Sequence, residues 1–220
     1  GKGGRIIKYR SGVWSDQTYG FNWNAIDWSS IHALDTNYIW AVNTLGATLH
    51  YDGNTWNYAF LPFSQSSLHE VQFTDSMHGW AIGYSKKIFF YDGTQWSVQD
   101  SDMTLHKINS SYSELMMNNN NDGWIVGAPG QLLHWDGLSW TRMSSYCTNG
   151  TVYDIFAFDT TTVFACGDRA LLRRTNGTWV NDWSSSPALF TDIDFYDASF
   201  GMAISSAYTS YAIYRNNSWS

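Results

Sequence analysis

Apolar and polar positions alternate along this chain in short runs that recur at a nearly constant interval. Ile31, Val71, Leu115, Ile155 and Ile193 each begin such a run, and Ala33, Phe73, Met117, Ala157 and Phe195 continue it two residues later. Asp35, Asp75, Asn119, Asp159 and Asp197 then close the run with a polar turn residue. A period of two that ends at a turn predicts a β-strand with one buried face. After the turn, the strings WAV, WAI, WIV, FAC and MAI predict a second strand, apolar on both faces. Its anchors Trp40, Trp80, Trp124, Phe164 and Met202 are spaced by 40, 44, 40 and 38 residues. Gly83, Gly127 and Gly167 end it, with Asn43 and Ser205 in that place in the other two repeats. A third strand (TLHY, IFFY, LLHW, LLRR, YAIY) leads into a fourth marked by Trp. Those tryptophans, Trp14, Trp56, Trp96, Trp140, Trp179 and Trp219, stand 42, 40, 44, 39 and 40 residues apart.

Two ladders with one period define a repeat of about 40 residues, the length of a four-stranded β-propeller blade. The turn before each ladder Trp takes two forms. Asp52-Gly53, Asp92-Gly93 and Asp136-Gly137 open four-residue links, whereas Ser11-Gly12, Asn176-Gly177 and Asn216-Asn217 make two-residue hairpins that need positive φ. The sequence therefore predicts an all-β propeller of four-stranded antiparallel blades, with residues 1–220 as one domain. Full blades fall at 29–60, 69–100, 113–144, 152–182 and 190–220, preceded by a partial blade at 1–18 that holds only an outer hairpin. The ring has five or six positions. The preferred reading is a fragment of, or an incomplete, six-position ring, because nothing after Ser220 supplies the two inner strands that the first hairpin lacks.

Composition narrows the fold further and the function only a little. Aromatic residues make up 18% of the chain and charged residues 14%, against ~25% charged in an average soluble domain. The formal charge of −7 argues against nucleic acid as a partner. No apolar run approaches the ~18 residues of a membrane-spanning helix.

The strings FTDSMHGWAIG (73–83), IFFYDGTQW (88–96) and NNNDGWIVGAPGQLLHWDGLSW (119–140) resemble repeats of the photosystem II assembly-factor-like propellers. They are also similar to the kelch-like and Asp-box repeat families, although Asp and Gly are adjacent here where an Asp-box separates them. IWAVNTLGATLHYDGNTW (39–56) looks like a tectonin lectin repeat in that one blade. Such resemblance implies a fold; function depends on sites.

Candidate chemistry is sparse. The ladder tryptophans read as blade-to-blade locks. His50 and His134 occupy equivalent third-strand places, so they point into different sectors and read as packing. No metal-ligand spacing, calcium loop, nucleophile elbow or phosphate loop occurs, and no catalytic residue, metal or cofactor is assigned. Arg173 and Arg174 point to opposite faces of one strand, which leaves the arginine triad of a sialidase-like site unmet. Cys147 and Cys166 share a blade, either as a bridge or with Cys166 as a buried thiol. Four sequons, at Asn109, Asn149, Asn176 and Asn216, lie in turns or loops and favour a secreted or cell-surface glycoprotein.

The loops between one blade's outer strand and the next blade's inner strand carry large apolar residues, and these form the predicted ligand-binding set. They are Trp23, Trp28, Phe60, Phe63, Tyr112, Tyr146 and Trp183, with Lys86 and Arg169 as donors from neighbouring loops. Exposed aromatics suit stacking on sugars or anchoring a protein. The leading functional reading is a non-catalytic recognition or scaffold module that binds a glycan or a protein, as an oligomer or as part of a larger chain. A sialidase-like glycoside hydrolase and an intracellular assembly factor are the alternatives.

Overall fold

The computed structural model describes residues 2–17, 27–61, 67–83, 87–100, 111–143, 150–183, 189–206 and 210–220. The chain divides into two compact units, Gly1–Gln99 and Asp100–Ser220. The first unit opens with a hairpin of β1 (Ile7–Arg10) and β2 (Val13–Asp16). It continues with β3 (Trp28–Asp35), β4 (Tyr38–Asn43), β5 (Ala47–Tyr51) and β6 (Trp56–Phe60), then β7 (Leu68–Asp75), β8 (His78–Gly83), β9 (Ile88–Tyr91) and β10 (Trp96–Asp100). The second unit holds β11 (Ser111–Asn119), β12 (Asp122–Ala128), β13 (Gln131–Trp135), β14 (Trp140–Arg142), β15 (Val152–Ala157), β16 (Val163–Gly167), β17 (Ala170–Thr175) and β18 (Thr178–Asn181). It ends with β19 (Phe190–Asp197), β20 (Phe200–Ser205), β21 (Tyr211–Arg215) and β22 (Ser218–Trp219). Each successive set of four, β3–β6 to β19–β22, is an antiparallel meander in sequence order, and β1–β2 forms a two-stranded sheet. This is the blade architecture predicted from the sequence. Among the described residues the one helical element is a single 3-10 turn at Lys2–Gly4.

Turn chemistry follows the sequence closely. Ser11, Gly12, Asn176, Gly177, Asn216 and Asn217 all have positive φ, as two-residue hairpins of this twist demand. In the four-residue links a carboxylate does the capping instead. Asp52 Oδ1 accepts the N–H groups of Asn54 and Thr55 at 2.9 and 2.8 Å, and Asp92 and Asp136 repeat the arrangement. Those backbone donors hold the Asp52 carboxyl down at about 2 and lower Asp92 and Asp136 too, the Thr94 hydroxyl being the largest influence on Asp92. The polar residue that closes the first strand acts alike in all five blades. Asp35, Asp75, Asn119, Asp159 and Asp197 each accept the N–H two residues on, at 2.6–2.8 Å.

The two ladders interlock. Trp40 on β4 lies against three side chains of the next blade: Phe73 at 5.2 Å, Tyr91 at 5.0 Å and the ladder residue Trp96 at 5.6 Å. In the second unit Phe164 has Phe195, Tyr214 and Trp219 in the same three places. Trp124 is held by Arg174 and Trp179. Trp40 and Phe164 thus sit in cages made by the first, third and fourth strands of the following blade, and Trp124 meets the third and fourth. Aromatic contacts of this kind contribute ~0.5–1.5 kcal/mol each beyond the area they bury. Trp40, Trp80 and Trp124 are buried, as their ladder predicts.

Size is conserved across the first two strands as a pair rather than residue by residue. Phe73, Met117 and Phe195 lie opposite Gly79, Gly123 and Gly201, whereas Ala33 and Ala157 lie opposite Ile39 and Val163. A Cβ on Gly79 would come within 2.3 Å of the Phe73 ring, so the large partner requires the small one. The glycines that end the second strand have another cause. A Cβ at Gly83, Gly127 or Gly167 would meet the carbonyl oxygen of Ser67, Ser111 or Thr151 at 1.7, 2.0 or 2.3 Å. They sit at the bulge where first-strand register shifts, between Leu68 and Glu70, Tyr112 and Glu114, and Val152 and Asp154.

Candidate binding surface

In one blade of each unit the bulge turns a polar side chain toward the next blade. Ser30 Oγ donates to Glu70 Oε1 at 2.7 Å and accepts the Val71 N–H at 3.3 Å. At the same place in the second unit, Asp154 accepts the Ile193 N–H at 2.8 Å and the Ile155 N–H at 2.7 Å, with Asp192 beside it. Burial raises the Asp154 carboxyl to about 6 despite these two donors, and the Asp192 charge adds to the rise. The group therefore titrates near neutrality and joins β15 to β19.

Loops of the second unit are stitched together by backbone bonds. Gly130 N–H donates to the Gly150 carbonyl at 2.5 Å, Asp168 N–H to Thr151 at 2.9 Å and Ser206 N–H to Leu189 at 3.2 Å. The Asp168 carboxylate accepts the Thr151 N–H at 2.8 Å. Second-to-third-strand loops and blade-to-blade connections thus share one edge of this unit. Arg169 is exposed there, in a left-handed conformation at φ 58°. Trp183 is half-buried, its ring edge-on to Phe190 at 5.1 Å.

Two of the predicted binding aromatics are corrected by the structure. Trp28 is 8% exposed and Tyr112 2% exposed, and they are the first and second residues of first strands rather than loop residues. Trp28 packs with Ile6, Ala41 and Leu49, and its Nε1–H donates to the Gly4 carbonyl at 3.3 Å. The physical reason is register: Trp28, Leu68, Tyr112, Val152 and Phe190 all face the residue that ends the second strand, and all are buried. Their spacing of 40, 44, 40 and 38 repeats the second-strand ladder, and that signal would have identified them. Phe60 is 63% exposed at the end of β6. Trp23, Phe63, Lys86 and Tyr146 lie outside the described residues, as do Asn109, Asn149 and Cys147. Asn176 and Asn216 are exposed turn residues. Cys166 is a free, buried thiol whose ionisation burial pushes far up.

The histidines pack, as the repeat predicts. His50 stacks on Trp40 at 4.3 Å, and burial lowers its pKa. His134 lies on Trp124 at 4.3 Å and contacts Asp122 Oδ1 at 2.8 Å. Among the described residues, no three His, Cys, Asp or Glu side chains are grouped to hold a metal.

Exposed apolar surface instead concentrates on sheet faces. A cavity of about 550 Å3 lies beside β1 and β3, lined by Arg5, Ile6, Trp28, Ile31 and Ala41 among others. Ile31 on its wall is 60% exposed. A second cavity, about 490 Å3, lies on β19–β20 against Asp192, Phe195, Met202 and Ile204. Met202 and Ile204 are 41% and 48% exposed.

Residues 48–215 match the family model described as photosynthesis system II assembly factor YCF48. The chain belongs to the YCF48 family. Solved structures agree on a β-propeller fold. A YCF48 bound to a D1 peptide is 16% identical with a TM-score of 0.66, covering 89% of this chain and 68% of that one. YCF48 from Cyanidioschyzon merolae is 16% identical with a TM-score of 0.63, covering 86% and 66%. A virginiamycin B lyase from Staphylococcus aureus with quinupristin is 10% identical with a TM-score of 0.72, covering 89% and 69%. The chain therefore spans about two thirds of the length of these proteins. No curated protein matches the sequence.

Proposed function

We propose that this YCF48-family chain is a non-catalytic protein-binding module of the assembly-factor kind, which holds a polypeptide segment of a client protein. The family match over residues 48–215 carries this reading, and a relative bound to a peptide is in keeping with it. The chain's own surface supports a protein rather than a sugar as partner. Trp28 and Tyr112, offered as stacking platforms, belong to the core, while aliphatic residues such as Ile31 and Ile204 are presented on sheet faces. Aliphatic faces suit polypeptide side chains better than the hydroxyl-rich edges of a glycan. The test is a peptide array, with D1 sequences among its members, probed with the purified chain beside a fluorogenic glycoside panel. Saturable binding of a subset of peptides with no turnover is the expected result. Turnover of a glycoside, with no peptide retained, would reverse it.

A further inference from the structure

The turns that precede the ladder tryptophans differ in how they treat a reactive side chain. In Asp52-Gly53, Asp92-Gly93 and Asp136-Gly137 the carboxylate is pinned by two backbone N–H groups. It stays ionised well below the usual carboxylate range, and an anion resists attack by the nitrogen of the glycine that follows. The two-residue hairpins have no such cap. Ser11-Gly12 offers no side-chain carbonyl, and Asn216 is followed by Asn217, whose Cβ crowds its own N–H. Among these turns, Asn176-Gly177 alone joins a carboxamide to an unshielded N–H.

Both residues of that turn are exposed, at φ 52° and 81°. The β17–β18 ladder closes at the pair Thr175 and Thr178, so the turn lies outside it. Among the described residues, neither the Asn176 carboxamide nor the Gly177 N–H has a hydrogen-bond partner. A fixed positive charge stands beside them. Outside the chain neighbours, the atom nearest to where a Gly177 Cβ would lie is Arg174 Nη2, at 3.9 Å. That guanidinium is held in place: its Nη1 donates to the Thr160 carbonyl, and its Cζ lies 5.2 Å over the Trp124 ring.

We propose that Asn176 is a site of intramolecular deamidation, in which the Gly177 nitrogen closes on Asn176 Cγ beside the Arg174 guanidinium. The Gly177 N–H loses its proton to solvent base, and the nitrogen adds to Cγ, forming an oxyanion. The bond from Cγ to the amide nitrogen then breaks, and ammonia leaves with a proton from water. Water opens the resulting succinimide at either carbonyl, to aspartate or isoaspartate, and nothing is oxidised or reduced. The reacting atoms are neighbours in one chain, which supplies the proximity. The fold supplies the charge, since the guanidinium favours both the deprotonated nitrogen and the oxyanion. The product adds a carboxylate and, as isoaspartate, a main-chain methylene to the turn leading into Trp179, which with Arg174 encloses Trp124. It also removes the acceptor of the sequon at 176–178. The inference rests on the turn itself and stands apart from the assembly-factor reading.

The test ages the purified 220-residue chain at pH 8 and 37 °C, folded and in urea, and maps it by mass spectrometry after chymotrypsin. The fragment 173–179, RRTNGTW, has Asn176 as its one side-chain amide, and the chain's other Asn-Gly, at 149–150, falls in a separate fragment. In the folded chain this fragment should gain the amide-to-acid mass progressively. Methyl transfer from labelled S-adenosylmethionine by an isoaspartyl methyltransferase should report the isoaspartate. The fragment 215–219, RNNSW, should lag behind it. Gly177→Asn copies the Asn216-Asn217 hairpin and should bring the rate at 176 down to that at 216. Arg174→Gln should slow conversion about fivefold, the factor that one charge pair at ~4 Å is worth in water, while Arg174→Lys keeps the charge and should keep the rate. An unconverted Asn176 in the folded chain, at a time when the chain in urea has converted fully, would overturn the proposal. So would rates in the two Arg174 variants that follow melting temperature instead of charge.

Discussion

Asp154→Ser tests whether the join between β15 and β19 is governed by a charge. The carboxyl is raised from an ordinary value near 3.8 to about 6, burial being the main cause. A carboxyl raised on folding favours the folded state fully below its unfolded pKa. That contribution is lost as the pH climbs through 3.8 to about 6, and above this the folded state carries the whole penalty of the buried charge. With 1.36 kcal/mol for each pKa unit, the loss between pH 4 and pH 7.5 comes to ~2–3 kcal/mol. Serine is the chain's own solution in the first blade, where Ser30 accepts the Val71 N–H and donates to Glu70. It should therefore keep the bond to Ile193 N–H and gain a donor toward Asp192 while deleting the charge.

Urea unfolding followed by tryptophan fluorescence at pH 4, 5, 6 and 7.5 gives the stability of both proteins. Any fixed difference from lost packing shifts the two profiles equally and cancels. The expected result is a variant that gains ~2–3 kcal/mol relative to wild type as pH rises over this range, with most of the change complete by pH 6.5. Turn carboxylates such as Asp92 and Asp136, which are lowered, act in the opposite direction, gaining stability as pH rises. They remain in both proteins and drop out of the difference. Parallel profiles, within ~0.5 kcal/mol at every pH, would show that Asp154 ionises normally in the fold and refute the reasoning.

Three further perturbations follow from the packing. Trp28→Ala should cost ~3–5 kcal/mol in chemical denaturation, because the ring is 8% exposed and pins Gly4 through its Nε1–H; a melting temperature equal to wild type would return Trp28 to the surface. Gly79→Val and Phe73→Ala should each destabilise. Their combination should cost ~1–3 kcal/mol less than the sum of the two, because the Ala157–Val163 pair fills the same place in another blade; strict additivity in a double-mutant cycle would exclude the pairing. Asn216→Gly should be nearly neutral and Asn216→Ala should cost ~1 kcal/mol, since the residue is exposed at φ 52°; equal thermal stability of the two variants would show that the turn relaxes.

What could be read from the sequence, and what could not, divides along the range of the interactions involved. A turn such as Asn176-Gly177 or an Asp52 cap is settled within four residues, so its residues report it directly. The ladders are legible for a different reason: each blade repeats its neighbour's interface, so a conserved interval stands in for a contact forty residues away. Trp28 and Tyr112 were misplaced where that interval was followed for two ladders and not for a third. Two features had no local signature. Gly79 is explained only by the Phe73 ring lying over it, and Asp154 only by a carboxylate that accepts the Ile193 N–H of the next blade. The face beside β3 lies between these cases: Ile31 and Ile193 hold one place in the repeat, yet only the structure shows that they are 60% and 4% exposed. A repeat makes its own interfaces predictable, and it is the place where one blade departs from the others that has to be read from the packing.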